Sequence, residues 1–547
     1  MESNKLKSLI IIGILFCYAG IAKAQFPAKY WVKFTDKNAS PYSISNPSAF
    51  LSARSIARRA NQSIAVDVTD IPVNQTYINQ VNATGAQVFQ RSKWINAAIV
   101  IINNTTQLNA VNSLTCVSSS SPVAKTHKMT DDAISVYDNS TPSAAKTTAY
   151  NYGPSLTQNS QIGADCMHSL GYRGQTMVIA IIDAGFYQAN INQVFDSLRN
   201  EGRILGTRDF VAGNSSVYED DSHGANVLSC ISGNSPGNLI GTGPKASMWL
   251  LRSEDVGSEK LIEENNWVVA AEFADSVGAD IVNTSLGYNT FDNASTNHVY
   301  ADLNGKTSVA SIAATMATRK GMFMVHAAGN EGAASWQYIN IPSDADSICT
   351  VGAVNGSGVH SSFSSIGPTS DGRIKPDISA MGEGAFVCLP GYNFAGGNGT
   401  SYASPILAGA VACLWQAHPN KTNMQILQAI KATATKSVTP DNQYGWGIPD
   451  MCAAHNYLMI TTVQEENKNS NVKVFPNPAK EQISFLLNEQ ATSIVLTDVL
   501  GQDVSFGLNE TENHQYTLQL DHRMSNGIYF LTIKTSLGIS KTKFIKE

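Results

Sequence analysis

Val178-Ile179-Ala180-Ile181-Ile182-Asp183-Ala184-Gly185 decides the fold. A strand reading from Met177 to Ile182 runs without polar alternation, meets one carboxylate and turns at a glycine. Such a strand is covered on both faces, as in a parallel sheet. The same texture recurs at Ser247–Leu251, Asp280–Val282, Met322–Val325 and Ile348–Val354. Helical patterns lie between them at Glu259–Val277 and Val309–Lys320. Alternation of this kind predicts an α/β domain, with a mostly parallel sheet, helices on both faces and right-handed crossovers. In these sheets ligands gather at the carboxyl ends of the strands, which makes Asp183 the first candidate.

The texture changes on both sides of this domain. From Gln25 to about Tyr150 the chain is polar and irregular, with an alternating start (Tyr30 to Phe34), a helical stretch (Pro47 to Ala60) and an apolar strand (Ala97 to Ile102). This predicts a small α+β unit ending in a Ser- and Thr-rich linker. After Tyr457, Thr461 to Ser470 reads as a polar linker. Short strands follow at Val472–Phe475, Gln482–Leu487, Ser493–Thr497, Gln515–Leu520, Gly527–Lys534 and Ser540–Ile545, the pattern of a small β-sandwich. Lys5 and Lys7 precede an uncharged run, Ser8 to Ala22, that closes in Ala22-Lys23-Ala24. The run is shorter than the roughly 20 residues a spanning helix needs. It reads as a secretory signal peptide over 1–24. The expected division is then 25–150, 151–459, a linker at 460–471 and 472–547.

Composition narrows the function. Charged residues are 15% of the 547 and the net charge is −6. That sign is wrong for a phosphate-binding surface, so no nucleic-acid partner is expected. Beyond Cys17, the cysteines at 116, 166, 230, 349, 388, 413 and 452 make no CxxC pair. Export permits a disulfide, but spacing does not choose its partners. HExxH and GxxxxGK[ST] motifs are absent, and no carboxylate cluster marks a structural calcium site, so no cofactor is expected.

Three further stretches carry chemistry. In Asp221-Ser222-His223-Gly224-Ala225-Asn226-Val227-Leu228 the apolar residues share a helical face, which puts His223 at a helix start. Its imidazole can take and return a proton near neutral pH. In Gly396-Gly397-Asn398-Gly399-Thr400-Ser401-Tyr402-Ala403-Ser404-Pro405 a glycine-rich loop brings Ser401 to the first turn of a small-residue helix, where free N–H groups favour developing negative charge. A GxSxG elbow is not formed, because position 403 is Ala. In Ala327-Ala328-Gly329-Asn330 a strand ends in small residues and presents an amide able to donate to an oxyanion.

Taken in order, these stretches resemble the subtilisin-like serine proteases, or subtilases. The matches are Asp183-Ala184-Gly185, His223-Gly224-Ala225-Asn226, Ala328-Gly329-Asn330 and Gly399-Thr400-Ser401-Tyr402-Ala403-Ser404-Pro405, over roughly Asn151 to Leu458. The resemblance implies a secreted serine endopeptidase acting on proteins or peptides. Ser401 would be the nucleophile, His223 the base and Asp183 its orienting carboxylate, with Asn330 in the oxyanion hole. Ser285, Leu286, Gly287, Ala328 and Gly329 would line the bound substrate. Ala184 and Asn226 depart from the family pattern; the alternative they leave open is a catalytically impaired surface binding protein on the same scaffold. Arg91-Ser92-Lys93-Trp94-Ile95-Asn96-Ala97 resembles the propeptides of such enzymes, which implies a chain that binds and inhibits its own enzyme. Val474-Phe475-Pro476-Asn477-Pro478, Leu500-Gly501-Gln502 and Asn526-Gly527-Ile528-Tyr529 resemble the type A sorting domain of type IX secretion. That machinery would be a further partner, carrying the protein across the outer membrane to the surface or beyond.

Overall fold

The computed structural model describes residues 26–125, 150–466 and 472–547, apart from 488, 499–501, 512–513 and 536–537. The expected signal peptide, the Ser140–Thr148 part of the Ser- and Thr-rich linker and the end of the 460–471 linker lie outside the described residues; Ser118–Ser121, also read as linker, is instead part of the strand Val117–Lys125, paired with Ala28–Phe34.

The N-terminal unit holds β1 (Ala28–Phe34), α1 (Ala53–Asn61), α2 (Gln75–Ala83), β2 (Gln87–Ser92), β3 (Ala97–Ile102), α3 (Thr105–Asn112) and β4 (Val117–Lys125). Its strands form one antiparallel sheet in the order β2-β3-β1-β4. Val32, Val100 and Ile102 pack with Ile78 and Val81 of α2 in its core. The apolar strand at Ala97–Ile102 is where the sequence put it.

The middle domain is built on β5 (Val178–Asp183), β6 (Ile204–Asp209), β7 (Ser247–Arg252), β8 (Ile281–Thr284), β9 (Phe323–Ala327), β10 (Cys349–Val354) and β11 (Ile378–Met381). All pair in parallel, in the order β11-β10-β9-β8-β5-β7-β6. On one face lie α4 (His223–Ser232) and α7 (Thr400–Ala417); on the other lie α5 (Ile262–Val277) and α6 (Val309–Arg319). The two-residue period of β5 serves both layers. Ile179 and Ile181 pack with Leu228 and Ile406, while Val178, Ala180 and Ile182 pack with Trp267 and Ala314. Asp183 therefore falls on the α4/α7 face. Residues Ala403 to Leu414 of α7 are all buried, so this helix is an axle of the core rather than a surface helix.

The C-terminal domain is two three-stranded antiparallel sheets around Phe485, Tyr516, Leu518, Leu531, Ile533 and Phe544. Val472–Phe475, expected as a strand, contributes only an isolated bridge from Phe475 to Ser484. The strand Phe506–Glu510 was not expected; it is an edge strand with nearly every residue exposed. A final middle-domain helix, Met451–Glu466, runs into the stretch read as linker.

Two features bind the parts together. The N-terminal unit sits on α5 through buried charge. Asp275 accepts from Arg58 at 2.5 Å, Arg59 at 3.0 Å and Lys93 at 3.2 Å, and is fully buried. Arg59 also reaches Asp70 at 2.8 Å, and Lys320 reaches Asp70 at 3.0 Å. Beside them, Glu272 accepts from Ser92 Oγ at 2.5 Å and from the backbone N–H groups of Lys93 and Trp94 at 2.7 and 3.1 Å. The second feature is a disulfide between Cys166 and Cys452, 286 residues apart in sequence, near the two ends of the middle domain. In a Ser401→Ala background, Asp275→Asn leaves buried guanidinium and ammonium groups undercompensated. It is expected to cost about 3–5 kcal/mol of precursor stability, read by denaturant unfolding. Replacing Cys166 and Cys452 together by serine removes the constraint on the unfolded chain. It is expected to cost about 2–5 kcal/mol, read by thermal melting without reductant.

Candidate active site

The carboxyl edge of the sheet joins Asp183 directly to His223, and α7, packed on the helix that His223 begins, carries Ser401, whose hydroxyl bonds to Ser285 and not to His223. Asp183 ends β5 with no solvent exposure. Its Oδ1 accepts from His223 Nδ1 at 2.7 Å and from the backbone N–H of Ala184 at 2.8 Å. Its Oδ2 is buried and has no partner among the described residues. His223 is the first residue of α4, and its own backbone N–H donates to Asp221 Oδ1 at 2.6 Å. The imidazole is 30% exposed, so one edge faces the solvent side. Burial alone would lower its pKa; the charge and hydrogen bond of Asp183 outweigh that and raise it above the ordinary histidine value.

Ser401 is the second residue of α7, and 9% of it is exposed. α4 and α7 pack on each other, and the ring of Tyr402 lies 6.3 Å from that of His223. The hydroxyl of Ser401 donates to the Ser285 carbonyl at 3.2 Å, while the hydroxyl of Ser285 donates to the Ser401 carbonyl at 2.8 Å. One turn further, Ser404 Oγ donates to Asn283 Oδ1 at 2.8 Å. These bonds stitch the start of α7 to the end of β8. They explain why the segment Ser285-Leu286-Gly287 lies alongside the serine. Tyr288 then exchanges backbone bonds with Ile341 at 2.8 and 3.1 Å, which keeps this segment extended.

Asn330 follows β9 by a glycine turn. Gly329 has φ +114°, and a Cβ there would meet Glu331 Oε2 at 2.6 Å and Ser365 Oγ at 2.8 Å, so only glycine fits. The amide oxygen of Asn330 accepts from the backbone N–H of Thr400 at 2.8 Å and lies 3.0 Å from Thr400 Oγ1. Holding that oxygen turns Nδ2 the other way. A Cβ placed on Gly399 would sit 3.7 Å from Asn330 Nδ2, 3.6 Å from Ser401 N and 3.8 Å from Ser401 Cβ. The amide, the backbone donor and the hydroxyl-bearing carbon thus border one small space. Ala328 is buried, with its N–H given to Val351 and its carbonyl engaged by Asn340. Gly329 has its carbonyl engaged by Ser365 N at 3.0 Å.

Sequence reasoning assigned no role to Thr400 or Ser404, and took Asn283 only as the start of the Asn283-Thr284-Ser285-Leu286-Gly287 stretch that resembles a substrate-binding strand. Thr400 sits inside the motif, but its task of fixing an amide oxygen shows only in three dimensions. Among the described residues no group of three or more His, Cys, Asp or Glu side chains is placed to hold a metal ion.

Residues 174–447 match the subtilase family. Residues 29–137 match the peptidase S8 propeptide domain of Bacteroidota, and 473–547 match the secretion-system C-terminal sorting domain. Subtilisin NAT of Bacillus subtilis subsp. natto is 32% identical over 312 residues, 56% of this chain and 73% of its own length. Subtilisin E of Bacillus subtilis (strain 168) gives the same identity and coverage. Subtilisin Savinase of Lederbergia lenta is 29% identical over 299 residues, 54% of this chain and 96% of its own length. With a propeptide before the middle domain and a sorting domain after it, the protein is exported to the cell surface or beyond. It is a serine endopeptidase, and the chain belongs to the subtilase family.

Proposed function

We propose that Asp183, His223 and Ser401 cleave peptide bonds through an acyl-enzyme, with Asn330 and the Ser401 N–H holding the oxyanion. The observation that carries this reading is the 2.7 Å bond from His223 Nδ1 to the buried Asp183, which leaves Nε2 as the ring nitrogen that can take a proton. Asp183 fixes the tautomer in which Nδ1 carries the proton and Nε2 accepts. The Ser401 hydroxyl turns about its Cα–Cβ bond, from the Ser285 carbonyl toward that nitrogen, as substrate enters; such bonds tighten in the loaded enzyme. Oγ then attacks the scissile carbonyl, its proton passes to His223, and the carbonyl oxygen takes the negative charge. Asn330 Nδ2 and Ser401 N border the space where that oxygen would sit, and Thr400 keeps the amide from flipping. His223 returns the proton to the leaving amine. Water repeats the sequence to release the acyl group.

Substrate would lie extended along Ser285-Leu286-Gly287 as an added strand, with main-chain hydrogen bonds supplying affinity. Gly329 would border the same cleft, and Ala328 would support it from beneath. The reading keeps 25–150 as the propeptide, 151–459 as the catalytic domain and 472–547 as the sorting domain. It needs no cofactor. The partners are protein or peptide substrates, the propeptide itself and the type IX machinery.

A fluorophosphonate probe is expected to label Ser401 in the mature protein and not in Ser401→Ala, read by mass spectrometry; labelling elsewhere would refute the assignment. Asn330→Ala is expected to lower kcat by about 10²–10³-fold with little change in KM, a magnitude known from the subtilisins themselves. Because Asp183 raises the pKa of His223, the acid limb of kcat/KM is expected above the ordinary histidine value near 6.5. Activity falls as pH drops and His223 takes a proton. Asp183→Asn should move that limb to lower pH while cutting kcat about 10⁴-fold, again a loss known for such triads. A pH-rate profile of each variant checks both.

A further inference from the structure

The geometry points to Arg252 as the positioning residue that sets the Asp183–His223 contact. The inference rests on the triad reading above. Arg252 ends β7, and strand register places Asp183, Arg252 and Asp209 in one row across β5, β7 and β6. Met248 and Leu250, four and two residues before Arg252, pack on the α4/α7 face, so Arg252 points to the same face as Asp183. It is 4% exposed and Asp209 is 2% exposed.

The guanidinium holds both halves of the Asp–His pair. Its Nε donates to the Ala184 carbonyl at 3.0 Å. Ala184 is the residue whose N–H donates to Asp183 Oδ1, so the turn that aims the carboxylate hangs on this bond. Its Nη1 reaches Asp209 Oδ2 at 2.9 Å and Asp220 Oδ2 at 3.3 Å. Asp220 sits in the loop that delivers His223: the next residue, Asp221, receives the His223 backbone N–H. The two segments also touch directly. Phe186 N donates to Val217 O at 2.8 Å and Tyr187 N to Asp221 O at 3.0 Å. A Cβ on Gly185 would meet Asp221 N at 2.6 Å and Asp220 Cβ at 3.1 Å. Arg252 therefore spans a seam between two loops, one carrying the carboxylate and the other the imidazole. Asp209, anchored by the N–H groups of Val211 at 2.7 Å and Ala212 at 2.9 Å, fixes the guanidinium from the far side.

A planar fork with donors in three directions suits this task, and a lysine ammonium on a flexible stem does not. With the carboxylate's Oδ2 unpartnered, the orientation of Asp183 rests on Oδ1 and hence on the Ala184 turn. Small misplacement of a catalytic group is costly, with about 1 Å enough for a 10²-fold loss.

The test uses the mature enzyme with its active sites counted by the fluorophosphonate probe. Arg252→Met is paired with Asp209→Asn so that no naked carboxylate stays buried. The expected result is a kcat lower by about 10²-fold at unchanged KM, together with loss of the low-field proton resonance of His223 Nδ1–H in a protein that is still folded. Arg252→Lys should behave like the double variant. Asp220→Asn, in a loop at the surface, should give a smaller kcat loss and a shifted low-field resonance; it decides the matter if the Arg252 variants do not fold. Folded variants with wild-type kcat and an unmoved resonance would overturn the proposal. His223→Ala separates the two readings. If it is inactive while the Arg252 and Asp220 variants are normal, only the role of Arg252 falls; if it keeps full activity, the triad falls and takes this role with it.

Discussion

The carboxylate of Asp183 has no contact with solvent, yet stands at the end of an aliphatic strand in the interior of the molecule. A buried carboxylate of that kind calls for donors, and its neighbourhood supplies two of them to Oδ1. A backbone N–H comes from its own turn and a ring N–H from the first residue of α4. The alternation of β5 chooses the face. Because Ile179 and Ile181 pack against α4 and α7, the next odd residue must face them too. The position of the histidine and the serine is thus a consequence of a period-two strand and of the two helices it packs on.

Much of this was open to sequence reading. β5 is an aliphatic run and β7, β8, β9 and β10 hold short apolar stretches without regular polar alternation, a pattern that fits strands covered on both faces. His223 does begin a helix, and Ser401 does sit in the first turn of one. What escaped was written in polar residues whose meaning depends on long-range approach. Thr400 locks an amide from 70 residues away, and Ser404 reaches Asn283 across 121. No local period announces such pairs. Edge strands escaped for a different reason. β6 carries a glycine and half-exposed residues, and Phe506–Glu510 faces solvent along nearly its whole length, so neither shows a hydrophobic stripe.

The buried ions divide into two groups with different tasks. Around Asp275 and Glu272 they join two parts of the chain that fold against each other. There, geometric fit matters more than net energy, because desolvation offsets most of the attraction. The row Asp183, Arg252 and Asp209 lies within one sheet instead. It ties strand ends, and so loops, into a fixed arrangement.

Cys166 and Cys452 lie outside the span that holds Asp183, His223, Asn330 and Ser401. A protease released among its own copies is exposed to nicking at its surface turns. With that bond in place, one cut anywhere between the two cysteines yields a clipped molecule rather than two departing fragments. The covalent ring keeps both pieces at a shared address, where the sheet and α7 can continue to hold them together.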